Sequence, residues 1–187
     1  MPQTRMDAVD RIVEQTERER PDLDAQAVEL LSRITRAGRL VEAATARSLA
    51  RFALGLGDFW LLVALRRAGP PFQLTPTELL RNVTVTSGAV SQQLERLEQR
   101  KLVHRRPSPI DRRGVIVELS TTGRQLIDEA WAAHVNRDRV LFSGLTSQQR
   151  RVLADLLRHV TLVAEDDEGD GRRRLASTVA TEAPPNR

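Results

Sequence analysis

The chain contains no cysteine. It therefore builds no disulfide framework, no thiolate metal site, no cysteine nucleophile and no thiol redox sensor. No apolar run approaches the ~20 residues that a helix needs to cross a bilayer. Nothing apolar follows Met1-Pro2-Gln3-Thr4-Arg5 that would serve as a signal peptide, so the expected compartment is the cytoplasm, with no membrane partner. Lysine is nearly absent too: Lys101 is the only one, and a net charge of +4 rests almost wholly on arginine. Arginine prevails where phosphate and base edges are read bidentately, although GC-rich coding produces the same bias. Also missing are a Gly-rich phosphate loop, a nucleophile elbow and a histidine–carboxylate motif, so the sequence supports no enzyme and calls for no cofactor. His104, His134 and His159 are far apart, and none has a second ligand at helical spacing on an obvious shared face. They read as structural, not as a metal site.

What is present is the composition of a globular protein, 40% hydrophobic and 29% charged, with room in 187 residues for one full core. The chain is organised around residues 75–119. Thr75-Pro76-Thr77-Glu78 combines a hydroxyl N-cap, proline at the first helical position and glutamate three residues after the cap, the pattern of a capping box. A second helix start follows at Thr86. Val90, Leu94 and Leu97 then recur at helical spacing and leave Ser87, Gly88, Ser91, Gln92, Gln93 and Arg96 on the other faces. Small polar residues near a helix start suit close approach to base edges in a major groove.

After Lys101-Leu102 the period changes to that of a strand. Val103 and Arg105 alternate, Pro107 and Pro109 break the run, and Val115, Val117 and Leu119 share one face of a returning strand. Between the strands lies Asp111-Arg112-Arg113-Gly114. A basic tip directly after a helix-turn-helix pattern makes one contact surface with it, an arginine entering the minor groove while Asp111 fixes its guanidinium. The pattern predicts a winged helix-turn-helix in a mainly α protein with a small β-wing. Thr75 and Thr77, at the start of the preceding helix, join the DNA-binding set as backbone-phosphate candidates.

The flanks read as helices. Residues 7–20 form a short amphipathic one ended by Pro21; Asp24 caps a long one reaching about Leu54, whose broad apolar stripe calls for a partner to cover it. Gly55 and Gly57 punctuate its end, and Asp58 caps a helix from Phe59 to Arg67. Ser120 caps a helix running to about Phe142, and Thr146-Ser147-Gln148-Gln149 opens a last helix to about Val163. The expected organisation is N-terminal dimerisation helices in residues 1–54, the winged module in 55–119, C-terminal dimerisation helices in 120–164 and a disordered tail in 165–187.

Residues 85–103, followed by Asp111-Arg112-Arg113-Gly114-Val115-Ile116-Val117-Glu118-Leu119-Ser120-Thr121-Thr122-Gly123, resemble the MarR family of bacterial transcription regulators. The likeness spans about residues 7–163. It leans toward the branch that responds to urate, through Asp10-Arg11-Ile12-Val13-Glu14-Gln15, Arg18-Glu19-Arg20-Pro21-Asp22-Leu23 and Leu65-Arg66-Arg67-Ala68-Gly69-Pro70-Pro71. The resemblance implies a homodimer whose terminal helices interlock. It implies double-stranded DNA as partner, a pseudopalindromic operator with half-sites about ten base pairs apart, and a repressor released by a small-molecule effector. The absence of cysteine excludes the peroxide-sensing mode of some members. An architectural or ligand-independent DNA binder is the alternative.

In the urate-responsive branch the ligand is held by a tryptophan, an aspartate and two arginines. Those positions fall here on Thr16, Trp60, Arg67 and Gln93, and only Arg67 keeps the expected residue. A planar anion loses its aromatic platform and one cationic partner, so urate is not the expected effector. Trp60 either enlarges the apolar surface of an effector pocket or fills the space as core.

Overall fold

The structure is a computed structural model that describes residues 6–82, 87–108 and 114–181, without the side chains of residues 82, 87–89 and 168–181. The chain divides into two compact units, Met1–Val135 and Asn136–Arg187.

In the first unit α1, Ala8–Glu19, opens on a capping box built from two aspartates. Asp7 accepts from the amides of Val9 and Asp10, and the Asp10 carboxylate accepts from the Asp7 amide at 2.6 Å. Asp24 caps α2, Ala25–Leu49, by accepting from the amides of Gln26 and Ala27. At 25 residues α2 is about 37 Å long. Arg33 of α2 staples the two helices, donating to Asp7 and Asp10 as well as to Glu29 in its own helix. Between α1 and α2 lies an open groove of about 680 Å³, lined among others by Val9, Ile12, Leu31, Leu40, Arg36 and Arg39.

A 3-10 turn, Ala50–Phe52, and Ala53 in the left-handed region (φ 52°) lead to α3, Leu56–Arg67. The helix starts earlier than the sequence suggests: Gly55 is its N-cap, and Asp58 lies inside the first turn. Asp58 is not a cap because its carboxylate is turned to a partner on another helix. α3 is apolar nearly all round and runs through the centre of the unit; Phe59, Leu61, Leu62 and Leu65 are fully buried. Around it pack Leu79 of α4 (Pro76–Asn82), Val90, Leu94 and Leu97 of α5 (Ser87–Gln99), and Ile127 and Ala130 of α6 (Thr121–Leu141). Each fully buried aliphatic or aromatic side chain of this kind contributes about 1.5–3 kcal/mol.

Three strands form the wing sheet in the order β1-β3-β2, all antiparallel. β1 is Gln73–Leu74, β2 is Val103–Pro107 and β3 is Val115–Leu119. Val103 faces Leu119 and Pro107 faces Val115, so Pro107 ends β2 without preventing pairing there. Val117 and Leu119 are buried on the module side, whereas Val115, farthest out, is exposed. Ser120 locks the sheet to α6: its hydroxyl donates to the Lys101 carbonyl at 2.8 Å and accepts from the Gly123 amide at 2.9 Å. Gly123 is required by that close approach, since a Cβ there would collide with the Leu102 carbonyl.

In the second unit Thr146 and Gln149 form the expected capping box at the start of α7, Ser147–Thr181. The sequence reading ends this helix near Val163 and has residues 165–187 disordered; the helix instead continues to Thr181, and residues 182–187 lie outside the described residues. No proline interrupts the chain after Pro109 until Pro184, so no backbone donor is lost along this stretch. Among the described residues, no single helix is long and apolar enough to cross a membrane.

Candidate DNA-binding surface

The capping box at α4 forms as the sequence spells it. The Glu78 carboxylate accepts from the Thr75 amide at 2.7 Å and from its hydroxyl at 2.8 Å, and Thr75 Oγ1 accepts from the Glu78 amide at 3.2 Å. These bonds, the backbone amide first, hold the Glu78 carboxyl below its ordinary range. Thr75 is thus half-buried with its hydroxyl already engaged, while Thr77 stands exposed on the first turn of α4.

Helix α5 buries Val90, Leu94 and Leu97 against the module, which leaves Ser91 and Gln92 exposed on the opposite face. Ser87 and Gly88 form its first turn, backbone only. The Thr86 cap and the wing-tip residues Asp111, Arg112 and Arg113 lie outside the described residues. Arg96, one turn beyond Gln92, is half-exposed, and its Nη2 donates to Asp58 Oδ1 of α3 at 3.2 Å. It looks toward α3 as well as toward solvent.

Arginine ties this surface to the wing. Arg105 of β2 donates from its amide to Glu98 Oε1 at 3.2 Å and from Nη2 to the Ser91 carbonyl at 3.3 Å. Arg106 lies 3.1 Å from Glu118 on the neighbouring strand. Arg100, just past α5, reaches back to the carbonyls of Phe52 and Ala53. Asp58, Arg100 and Arg105 have no place in the sequence-based site. The legible signal was the spacing of Gln93, Arg96 and Arg100, which puts a polar stripe beside the apolar one.

None of the four candidate pocket positions lines the α1–α2 groove. Thr16 spends its hydroxyl on the Ile12 carbonyl at 2.8 Å. Arg67 is exposed at the end of α3. Gln93 packs over Gly57, where its amide occupies the place a Cβ would take, and its Oε1 is buried with no hydrogen-bond partner among the described residues. Trp60 is 42% exposed, so it is not simply core. Its ring meets Phe59 and His134 edge-on, at 4.9 and 5.7 Å between centroids. Among the described residues no three His, Asp or Glu side chains group as a metal site.

A polar-faced helix seated beside an antiparallel wing is the geometry of groove-reading proteins. The MarR family model matches residues 54–114, the span from α3 to the wing. HTH-type transcriptional regulator PecS of Dickeya dadantii is 30% identical over 152 residues, covering 81% of this chain and 92% of PecS. The chain belongs to the MarR family. It is therefore a DNA-binding transcriptional regulator and not an enzyme. Among solved MarR-family structures, Sco3205 from Streptomyces coelicolor in complex with DNA superposes with a TM-score of 0.69 at 29% identity, covering 74% of this chain and 88% of Sco3205. BpsR of Bordetella bronchiseptica, whose DNA binding is regulated by 6-hydroxynicotinic acid, gives 0.62 at 27% identity over 68% of this chain and 89% of its own.

Proposed function

We propose that this MarR-family chain is a homodimeric repressor that occludes a promoter by binding a pseudopalindromic operator. The observation that carries the reading is α5, whose apolar edge is buried in the module while Ser91 and Gln92 face solvent beside the wing. Ser87, Gly88, Ser91, Gln92 and Arg96 enter the major groove, and from the wing, which carries Arg112 and Arg113, one arginine steadied by Asp111 reaches the minor groove. Thr77 contacts phosphate through its hydroxyl, and Thr75, with its hydroxyl engaged by Glu78, through its place at the helix start.

Support for the homodimer comes from the open stripes: Leu30, Leu31, Ile34, Leu40 and Val41 on α2, and Val152, Leu156, Leu157, Val160 and Val163 on α7, are all exposed in a single chain. The terminal helices in 1–54 and 120–164 are the dimerisation parts of this reading. Support for an effector comes from Trp60, an aromatic surface left open beside His134, which suits a bulky apolar ligand rather than urate. Among the structural neighbours, BpsR is a protein whose DNA binding is regulated by a small molecule, 6-hydroxynicotinic acid.

Selection of bound fragments from genomic DNA at physiological salt, followed by titration of the best fragment against a scrambled one, tests the proposal. A pseudopalindrome bound about a thousandfold or more tighter than the control is the expected result. Equal weak binding to both overturns it in favour of an architectural role.

A further inference from the structure

Gln93, Arg96 and Arg100 lie three and four residues apart and so continue one stripe along α5 and its end. All three meet the same short stretch of chain, residues 52–58, the corner where α2 ends and α3 begins. Arg100 Nη1 donates to the Ala53 carbonyl at 2.7 Å and Nη2 to that of Phe52 at 3.4 Å. Arg96 donates to Asp58, a carboxylate only 8% exposed as a residue. Gln93 is pressed onto Gly57, the one side-chain-free position under it. A buried carboxylate is stable only when paired, and a guanidinium fork across two carbonyls is geometrically restrictive. Contacts one turn apart resist both rotation of the helix about its axis and sliding along it.

We infer that this corner is the seat of the recognition helix: Asp58, acting through Arg96, and the carbonyls of Phe52 and Ala53, acting through Arg100, set the pose in which Ser91 and Gln92 are offered to DNA. The inference rests on the DNA-binding reading of α5 and assigns Asp58 and Arg100 a positioning role, exerted on Arg96 and on the end of α5.

The test uses the full chain, Asp58→Asn and Arg100→Lys variants, the fragment selected by the unmodified protein and a scrambled duplex. Electrostatics alone predicts that removing the Asp58 charge tightens binding to every DNA, because the polyanion is repelled less. A seat predicts the opposite for the selected fragment: about a tenfold loss of the specific-to-scrambled ratio. Arg100→Lys keeps the charge and loses the fork, so the ratio falls again while the salt dependence of binding is unchanged. Hydrogen exchange on the free protein provides a readout that needs no DNA, and faster exchange over residues 90–99 is expected in both variants.

Unchanged ratios, or unchanged exchange over α5, overturn the seat. An Arg100→Gln variant that binds both duplexes equally less well, with a salt slope reduced by about one, identifies a phosphate contact and overturns it as well. Should the unmodified chain select no sequence at all, the regulator reading falls, and the exchange experiment still decides whether the corner holds α5.

Discussion

The winged module and the helices that flank it bury their apolar residues to very different degrees. In the module Phe59, Leu61, Leu62, Leu65, Leu79 and Leu97 are completely enclosed by the same chain. On α2 and α7 residues of the same kind stay open: Leu31 is 68% exposed and Leu156 61%. α4, α5 and the flanking helices all follow the helical apolar period and α3 is apolar nearly all round, so pattern alone does not make the difference. It is one of supply: the module contains both sides of its core, whereas each flanking stripe presents one side only. The module closes its core within one chain, and the flanks leave their stripes open, the contrast on which the proposed dimer rests.

The largest effect expected from this contrast is in the module. Phe59→Ala removes a ring from a closed core and should cost about 3–5 kcal/mol in urea unfolding. Leu156→Asp, on the open stripe, should instead leave secondary structure intact and shift the mass measured by sedimentation from dimer to monomer. A Leu156→Asp chain that stays dimeric would break the contrast.

Two glycines sharpen it further. Gly123→Ala sets a methyl against the Leu102 carbonyl, backbone that cannot yield, and should cost about 1–3 kcal/mol. Gly57→Ala meets only the end of the Gln93 side chain, so its stability cost should be under about 1 kcal/mol, with operator affinity falling more than stability does. Arg113→Ala should reduce operator affinity about tenfold, leave the dimer folded and lower the salt slope by about one. Titration across ionic strengths measures it, and unchanged affinity would remove the wing from the mechanism.

The smallest effect concerns acid. The carboxyls of Asp7 and Glu78 are held below their ordinary values, in each case first by a backbone amide, from Asp10 and Thr75 respectively. A depressed carboxylate contributes stability that is present above its unfolded value and lost as pH falls through the folded one. Thermal midpoints should therefore decline slightly below the ordinary carboxylate range, and Glu78→Gln should flatten the α4 share of that decline.

The capping boxes at Thr75 and Thr146, the caps at Asp24 and Ser120, and the alternation of β3 were legible because each depends on residues within a few positions of one another. Asp58 was misread for the complementary reason. Its type and place suggest a cap, but its partner, Arg96, is 38 positions away, and no local rule reports such a pairing. β1 escaped notice because two residues carry no period; they become a strand only by pairing with β3. The last helix was cut short because its sequence beyond Ala164 offers little apolar surface, a criterion about burial rather than about backbone continuity. The surroundings of Trp60 and Gln93 were not legible at all: the Gln93 contact with Gly57 and the edge-on approach of His134 to Trp60 arise from helix packing.

Lys101 joins α5 to β2 with φ at 58°, a backbone state that most side chains avoid. It is exposed and is the chain's only lysine. With the N-terminus blocked, an amine-directed fluorophore would therefore label one point per chain, at the junction of α5 and β2. With no cysteine present, a single introduced thiol gives a second, orthogonal address. Two labels placed this way report the distance between α5 and any other chosen point, and in the proposed dimer between one winged module and the other.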